Sequence, residues 1–176
     1  SGLTVSGDFG PNVFNSRSLD YLRRKNLAAA CLSFELRFPQ MRDMQKVIPA
    51  EAIVYGRLPL MITENCLVQN CTGCRLSERG AAVPQAAPCR KPNYLQDRTG
   101  ARFPLLPAYG HRTELQNSAP LWLADKPDWR HCGLRFARLR FTTESPADCA
   151  AIFRAYENGA PAPAAFTRGL YYRGVD

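Results

Sequence analysis

Four cysteines that follow a long apolar stretch constrain this chain more than any other feature. The stretch begins at Ala52 and reads AIVYGRLPLMIT, and the thiols follow with the spacing C-x4-C-x2-C-x14-C. Thiolates this close in sequence are usually either paired by oxidation or bound to a soft metal, such as zinc, copper or an iron–sulfur cluster. The first part of the spacing also occurs in plant-type ferredoxins. We therefore expect the functional site of the chain to lie in this segment. The four cysteines are Cys66, Cys71, Cys74 and Cys89.

The cysteine count favours a metal over disulfides. Seven is an odd number, and the chain shows no secretory signal, so a complete disulfide framework is not expected. Cys31 and Cys149 stand in apolar surroundings and are predicted to be small buried hydrophobic residues. Cys132 follows His131 and is kept as a reserve metal ligand.

Length and composition predict a folded protein with a real core. A chain of 176 residues with 45% hydrophobic content supports one domain, or one domain with a small appendage. No run reaches the roughly 18 apolar residues that cross a bilayer, and the first residues carry no targeting pattern. We expect a soluble, cytoplasmic protein without a membrane partner. The chain begins without Met, which is consistent with a piece excised from a longer protein.

The charge balance favours an anionic partner. Basic residues number 23 against 15 acidic ones, which gives a formal charge of +8 and makes RNA a candidate ligand. Arginine suits bidentate contacts to phosphate. A solvated basic face that only keeps the protein soluble explains the same charge equally well. The arginines that contribute to this excess are Arg130, Arg135, Arg138, Arg140, Arg168 and Arg173.

The first third of the chain reads as alternating strands and helices. Strands are predicted over 3–9, 28–36 and 52–61, with a helix capped by Ser16 or Ser18 between the first two and a helix starting at Pro39 after the second. This order is typical of βαβ units with parallel strands, in half a barrel or a doubly wound sheet.

Ligands of such folds collect where the strands end, which singles out Asp8, Glu35 and the Tyr55-Gly56-Arg57 step. A helix cap for Asp8 and a surface ion pair for Glu35 and Arg57 remain equally simple interpretations.

Short strands, one helix and a basic tail are predicted after the cysteines. A hairpin turns at 97–100, where Gly100 can take positive φ. A strand with one basic face covers 134–141, and a helix begins after Ser145 and stops at Gly159. The final segment, FTRGLYYRGVD, interleaves tyrosine with arginine, as in surfaces that stack bases and hold phosphate, although such a tail can also pack on the fold.

Signals of hydrolytic enzymes are weak. Neither G-x-S-x-G nor H-E-x-x-H occurs, and the histidines are His111 and His131. A dyad of Cys132 or Cys66 with a histidine can be drawn, but the spacing gives it no geometric support.

Several segments together resemble the C-terminal part of the U32 peptidase family, the collagenase-like proteases. They are GDFGPNVFNS, LSFEL, VYGRLPLMITENC, YLQDRTGARFPLL, QNSAPLWL, LRFTTE and TRGLYYRGV. The resemblance implies an α/β fold in which residues 1–63 are the closing βα units of a partial parallel barrel. Residues 64–176 would then be a cysteine-bearing, mainly β extension with a C-terminal helix, and the start of the barrel would be a partner absent from this chain.

The resemblance also implies two kinds of function. Some family members are described as proteases, and others as bacterial factors that hydroxylate tRNA, ribosomal RNA or ubiquinone and hold an iron–sulfur cluster on four cysteines. By position, Cys66 and Cys89 match the cluster ligands best, with Cys71 or Cys74 as the third. The fourth ligand would be His111, Cys132, or whichever of Cys71 and Cys74 is not the third.

Our hypothesis is a cytoplasmic, iron–sulfur-dependent factor of RNA hydroxylation. Cys66, Cys71, Cys74 and Cys89 bind the cluster, and Glu35 and Arg57 lie near the substrate as catalytic candidates. The alternatives are a peptidase acting on protein substrates and a structural zinc module. The residues expected to contact RNA are Arg57, Arg135, Arg138, Arg140, Arg168 and Arg173.

Overall fold

The computed structural model describes residues 2–73 and 87–174 and divides the chain into two compact units. The first unit is Ser1–Gly56 with Leu121–Asp176, and the second is Arg57–Pro120. The predicted domains divide the chain at residue 63 instead. The difference arises because a strand beyond residue 120 pairs with a strand before residue 57, which returns the C-terminal part of the chain to the first unit.

The first unit is a mainly parallel sheet with helices. Its strands follow the order β1-β2-β3-β8, and β9 also pairs with β3 in parallel, whereas β8 is antiparallel to β3. The strands are β1 (Ser6–Gly7), β2 (Ala29–Cys31), β3 (Ala50–Gly56), β8 (Leu121–Trp122) and β9 (Phe136–Arg140). The helices are α1 (Ser16–Arg24), α2 (Phe38–Asp43) and α4 (Pro146–Asn158).

The second unit is an antiparallel sheet in the order β4-β7-β6-β5. A three-residue 3-10 helix, Pro88–Arg90, packs against its one described α-helix. The strands are β4 (Pro59–Thr63), β5 (Asn93–Gln96), β6 (Arg102–Ala108) and β7 (Arg112–Gln116), and the helix is α3 (Leu67–Thr72).

The predicted fold class is confirmed. The chain is a mixed α/β protein with parallel strands first, β structure after the cysteines and a C-terminal helix, and within the described residues the sheets form no closed barrel. No helix in this part of the chain is both long and apolar enough to cross a membrane.

Several local predictions need correction. The strand predicted over 3–9 is limited to Ser6–Gly7, and the strand predicted over 28–36 is limited to Ala29–Cys31. The stretch 52–61 is not one strand, because Gly56 takes φ +123° and the chain passes from β3 into β4, which belongs to the other sheet. The cap of α1 is Asn15 rather than a serine, and its Oδ1 accepts the N–H of Ser18 at 3.0 Å.

A β-bulge in β3 organises the core of the first unit. The pairing of β3 with β9 shifts register between Ile53 and Tyr55, and the carbonyls of Ile53 and Val54 each accept a tyrosine hydroxyl. Tyr171 donates to Ile53 at 2.6 Å, and Tyr156 donates to Val54 at 2.6 Å. Buried carbonyls must find donors, so the last helix and the tail complete this strand.

Candidate functional site

Aromatic and basic side chains meet where the parallel strands of the first unit end. Phe9 follows β1 and Phe34 follows β2, and their rings lie edge to face with centroids 5.8 Å apart. The guanidinium carbon of Arg140, the last residue of β9, lies 5.4 Å from the centre of the Phe9 ring. We call Phe9, Phe34 and Arg140 the strand-end rim. The two phenylalanines were missed in the sequence, although each is adjacent to a polar residue singled out at a strand end, Phe9 to Asp8 and Phe34 to Glu35.

Gly56 allows β3 and β9 to approach closely at this rim. A Cβ built on Gly56 would lie 2.1 Å from the carbonyl oxygen of Arg140, and the residue has φ +123°. Only glycine fits such a position. The Tyr55-Gly56-Arg57 step singled out in the sequence therefore contains the point of closest approach between β3 and β9.

Glu144 fixes the chain after β9. Its Oε1 accepts the hydroxyl of Tyr55 at 3.0 Å, and its Oε2 accepts the backbone N–H groups of Thr142 and Thr143 at 2.6 and 2.9 Å. A carboxylate that receives three donors holds the turn in one conformation. The backbone that follows Arg140 and Phe141 is thus held by hydrogen bonds to one carboxylate.

Arg138 joins three strands through an ion-pair network. It pairs with Asp8 beyond β1 and with Glu51 in β3, where the distance is 2.5 Å. Burial opposes the charge on Arg138, but the hydrogen bond to Asp8 and the charge of Glu51 raise its pKa overall. Asp8 and Arg138 therefore help to hold the sheet together, and this ion pair is neither the helix cap nor the ligand contact that the sequence suggested for Asp8.

Two buried thiols in the first unit are poor nucleophiles. Burial, followed by the charge of Glu51, raises the pKa of Cys31 to about 12. Burial also raises the pKa of Cys132, whose Sγ donates to the carbonyls of Asp128 and Phe38 at 3.3 and 3.6 Å. Because the thiolate is the reactive form, neither environment activates a cysteine.

The catalytic candidates from the sequence lie in different units. Glu35 is half-buried after β2, and its backbone N–H donates to the hydroxyl of Ser33 at 3.2 Å. Arg57 belongs to the second unit, where its Nη1 donates to the carbonyls of Asn117, at 3.0 Å, and Ser118. These bonds tie the start of the second unit to its end. Catalytic roles for Glu35 and Arg57 remain predictions.

The described thiols of the cysteine cluster lie on two elements that pack together. Cys66 is the N-cap of α3, and its Sγ accepts the N–H of Gln69 at 3.4 Å. Cys71 is exposed in the last turn of α3, and Cys89 is half-buried in the 3-10 helix packed against α3. Cys74 lies outside the described residues. Cys66, Cys71 and Cys89 therefore lie on two elements of the second unit that are in contact.

The described residues offer donors of the kind that a soft metal prefers but not a grouped set of them. Among residues 2–73 and 87–174, no three His, Cys, Asp or Glu side chains are grouped so that they could hold a metal ion. The donors nevertheless fit a soft metal in kind, because thiolate and imidazole are its preferred ligands.

The reserve ligand His111 precedes β7, the strand that α3 packs against. The N–H of Leu67 donates to Thr113 Oγ1 at 3.0 Å, which ties the start of α3 to this strand. Nε2 of His111 is buried and has no hydrogen-bond partner in the described structure. The other reserve ligand, Cys132, lies in the first unit with the partners given above.

Apart from Arg57 and Arg140, which are described above, the predicted RNA-contacting arginines fall into two groups. Arg168 forms a bidentate pair with Asp125, at 2.6 and 2.7 Å, and Arg138 is held in the network described above. The bond to Arg168 is the main cause of a lowered pKa at Asp125. Arg135, which lies over the ring of Phe136 at 5.9 Å, and Arg173 are exposed. The second group is better placed to contact a ligand.

Comparison with known proteins gives one family. A family model described as peptidase family U32 matches residues 2–157, which is most of the chain. No curated protein and no solved structure matches the chain.

Proposed function

The chain belongs to peptidase family U32, and on that basis we propose that it is part of an iron–sulfur-dependent factor that hydroxylates RNA. The observation that carries the proposal is the packing of α3 against the 3-10 helix Pro88–Arg90, since these elements hold Cys66, Cys71 and Cys89. Soft sulfur donors favour an iron–sulfur cluster over hard cations.

The thin core of the second unit supports a metal there. Its buried apolar residues among those described are Leu58, Val68, Ala87 and Leu105, and the first unit buries several times as many. Small units with little core are commonly stabilised by a metal or by disulfides. A cluster held by the thiols would supply the stabilisation that burial does not.

In this proposal the metal and the protein chain have different roles. A bound iron–sulfur cluster supplies electron transfer or activation of an oxygen donor. Cys66, Cys71, Cys74 and Cys89 would hold it, with His111 and Cys132 in reserve. The N–H of Gln69 that reaches Cys66 Sγ is the kind of hydrogen bond that tunes the potential of a cluster.

The substrate side of the proposal rests on the first unit. The strand-end rim offers aromatic rings for stacking and a cation for phosphate, a combination suited to unpaired bases. Glu35 and Arg57 are proposed to lie near the reacting base. We place the protein in the cytoplasm, where RNA is available, and propose that the remaining strands of the barrel complete the fold as its partner.

The test is anaerobic purification followed by iron and sulfide analysis. We expect a coloured protein with stoichiometric iron and sulfide, and we expect Cys66→Ser and Cys89→Ser to lose both. Cys149→Ser, on α4 in the other unit, is the matched control and should retain them. Stoichiometric zinc without sulfide would replace this proposal with the structural zinc module.

Peptide hydrolysis is the second candidate, because the family is described as a peptidase family. It requires an activated thiol or a catalytic metal, and the raised pKa values of Cys31 and Cys132 argue against either of those thiols as the nucleophile. Gelatin degradation that survives iron removal but is lost in Cys66→Ser would favour the peptidase. Hydroxylation of RNA that requires iron would exclude that interpretation.

A further inference from the structure

Two cavities in the first unit open on either side of Tyr172. One has a volume of about 320 Å³ and is bordered by Arg37, Phe38 and His131, and the other has a volume of about 620 Å³ and is bordered by Lys126 and Phe166. Both are bordered by Tyr172. The smaller cavity lies where the tail packs on α2 and is also bordered by Asp128, and the larger one lies along the tail itself.

The tail is held firmly enough to form a binding surface. Its Tyr171 ring stacks on Phe38 with centroids 5.0 Å apart, and the N–H of Phe38 donates to the carbonyl of Tyr171 at 3.0 Å. The pair of Arg168 and Asp125 fixes the chain three residues earlier. A surface held in place before binding loses little entropy when a ligand arrives.

Two aromatic rings remain exposed on this tail. Tyr172 keeps 44% of its surface exposed although its hydroxyl donates to Asp128 at 2.7 Å and its ring meets Phe38 edge to face. Phe166 keeps 38% exposed, and the guanidinium carbon of Arg168 lies 4.5 Å from its centre. Both rings are oriented and still accessible, as in platforms that stack bases.

Three cations beside these rings have no carboxylate within ion-pair distance among the described residues. They are Arg37, Lys126 and Arg173, in contrast to Arg42 and Arg168, which pair with Asp43 and Asp125. The exposed Arg37 lies close to the tail, because a Cβ built on Gly174 would lie 2.8 Å from the Cδ of Arg37. Unneutralised cations beside a cavity attract an anionic ligand.

We propose that these residues form a site for single-stranded RNA, which we call the tail site. It consists of Tyr172 and Phe166, which stack bases, and Arg37, Lys126 and Arg173, which contact phosphates. An acidic peptide would use the cations but leave the rings without planar partners, and a duplex would keep its bases stacked away from them. This inference rests on the proposed function and assigns the RNA to a surface separate from the strand-end rim.

The charge contribution can be measured by fluorescence anisotropy on the full chain. The probe is a labelled oligouridylate of about twelve nucleotides, within the site sizes of single-strand binders. We expect Arg173→Ala and Lys126→Ala each to weaken binding about five- to tenfold and to reduce the salt slope by about 0.7 for each phosphate that is no longer neutralised. Arg98→Ala, an exposed arginine of the β5–β6 turn that removes the same charge, should weaken binding by less than about twofold.

The ring contribution is tested by two substitutions at one position. Tyr172→Leu should weaken binding about tenfold because a stacking platform is removed. Tyr172→Phe keeps the ring, removes the hydroxyl that reaches Asp128 and should bind like the unaltered protein. Unweakened binding by both Tyr172→Leu and Arg173→Ala, with unchanged thermal unfolding, would overturn the tail site, as would tighter binding of a matched duplex.

Failure of this inference can be told apart from failure of the proposed function. RNA binding that depends on Tyr172 and Arg173, in a protein without iron or sulfide, would leave the tail site standing and remove the hydroxylation proposal. The opposite result is iron-dependent hydroxylation together with RNA affinity that depends on Arg140 and is unaffected by Tyr172→Leu. It would leave the hydroxylation proposal standing and remove the tail site.

Discussion

In the first unit, all of β3 except Glu51 is buried, whereas in the second unit β4 leaves its three central residues about half exposed. Those residues are Leu60, Met61 and Ile62, at 51%, 53% and 52% exposure. The difference follows from position, since β3 lies between other strands under helices and tail, and β4 is the edge of an antiparallel sheet. The first unit therefore buries its central strand far more completely than the second unit buries β4.

The largest expected effect is at the close approach of β3 and β9. Gly56→Ala should lower the free energy of unfolding by about 3 kcal/mol or more, because the new Cβ would meet the Arg140 carbonyl at an unfavourable φ. Urea denaturation measures this loss of free energy of unfolding. Gly110→Ala, in the second unit at φ +72° with open space around it, is the control and should cost about 1–2 kcal/mol. Equal losses would mean that the close approach in the first unit is unimportant.

The next effect concerns the bulge in β3. Tyr171→Phe leaves the buried carbonyl of Ile53 without a donor and should cost about 1–3 kcal/mol. Tryptophan fluorescence reports this destabilisation directly, since Trp122 and Trp129 both lie in the first unit. Tyr172→Phe, whose hydroxyl bond is exposed, serves as the control with a cost of about 0.5 kcal/mol. If Tyr171→Phe leaves the free energy of unfolding unchanged, the core of the first unit does not need this hydrogen bond.

Acid should weaken the first unit through Asp125. Because its hydrogen bond to Arg168 lowers the pKa of Asp125 in the folded state, the pair contributes fully above the ordinary pKa of aspartate, about 3.9, and the contribution is lost as pH falls through the lowered value. Asp125→Asn should cost about 1 kcal/mol at neutral pH and flatten this acid dependence. Thermal unfolding followed against pH gives both quantities. The same substitution at Asp43, in an exposed pair with Arg42, should change less.

The smallest effect is expected on the edge strand of the second unit. Ile62→Lys should change the free energy of unfolding by no more than about 0.5 kcal/mol, because the side chain is already half exposed. Leu105→Ala, in the same sheet but buried, should cost at least about 2 kcal/mol. A large effect from Ile62→Lys would mean that β4 is covered in the folded protein and that the contrast between the units is weaker than their exposures suggest.

Local signals in the sequence predicted much of the fold. The hairpin turns at Gly100 with φ +88°, and α4 is capped by Ser145 and ends at Gly159 with φ +63°, as the turn and cap residues indicate. Pairing between distant segments could not be read in the same way. No local pattern reveals that β9 pairs with β3, or that the chain changes sheets after Gly56.

The site was predictable in part for the same reason. Cysteine spacing singled out thiols that lie on packed elements, and strand ends singled out Asp8 and Glu35. The partners of each arginine depend on topology, so sequence alone could not separate Arg138 and Arg168, which are held in ion pairs, from exposed Arg173. Metal binding by the cysteines remains a prediction.

The two tyrosine bonds to β3 bear on the order in which the protein folds during synthesis. The ribosome makes Ile53 and Val54 long before Tyr156 and Tyr171, which supply their donors. Until then the nascent chain holds two carbonyls that cannot be buried without cost. The second unit, which is translated entirely in between, can therefore fold before the unit that precedes it in the sequence is complete.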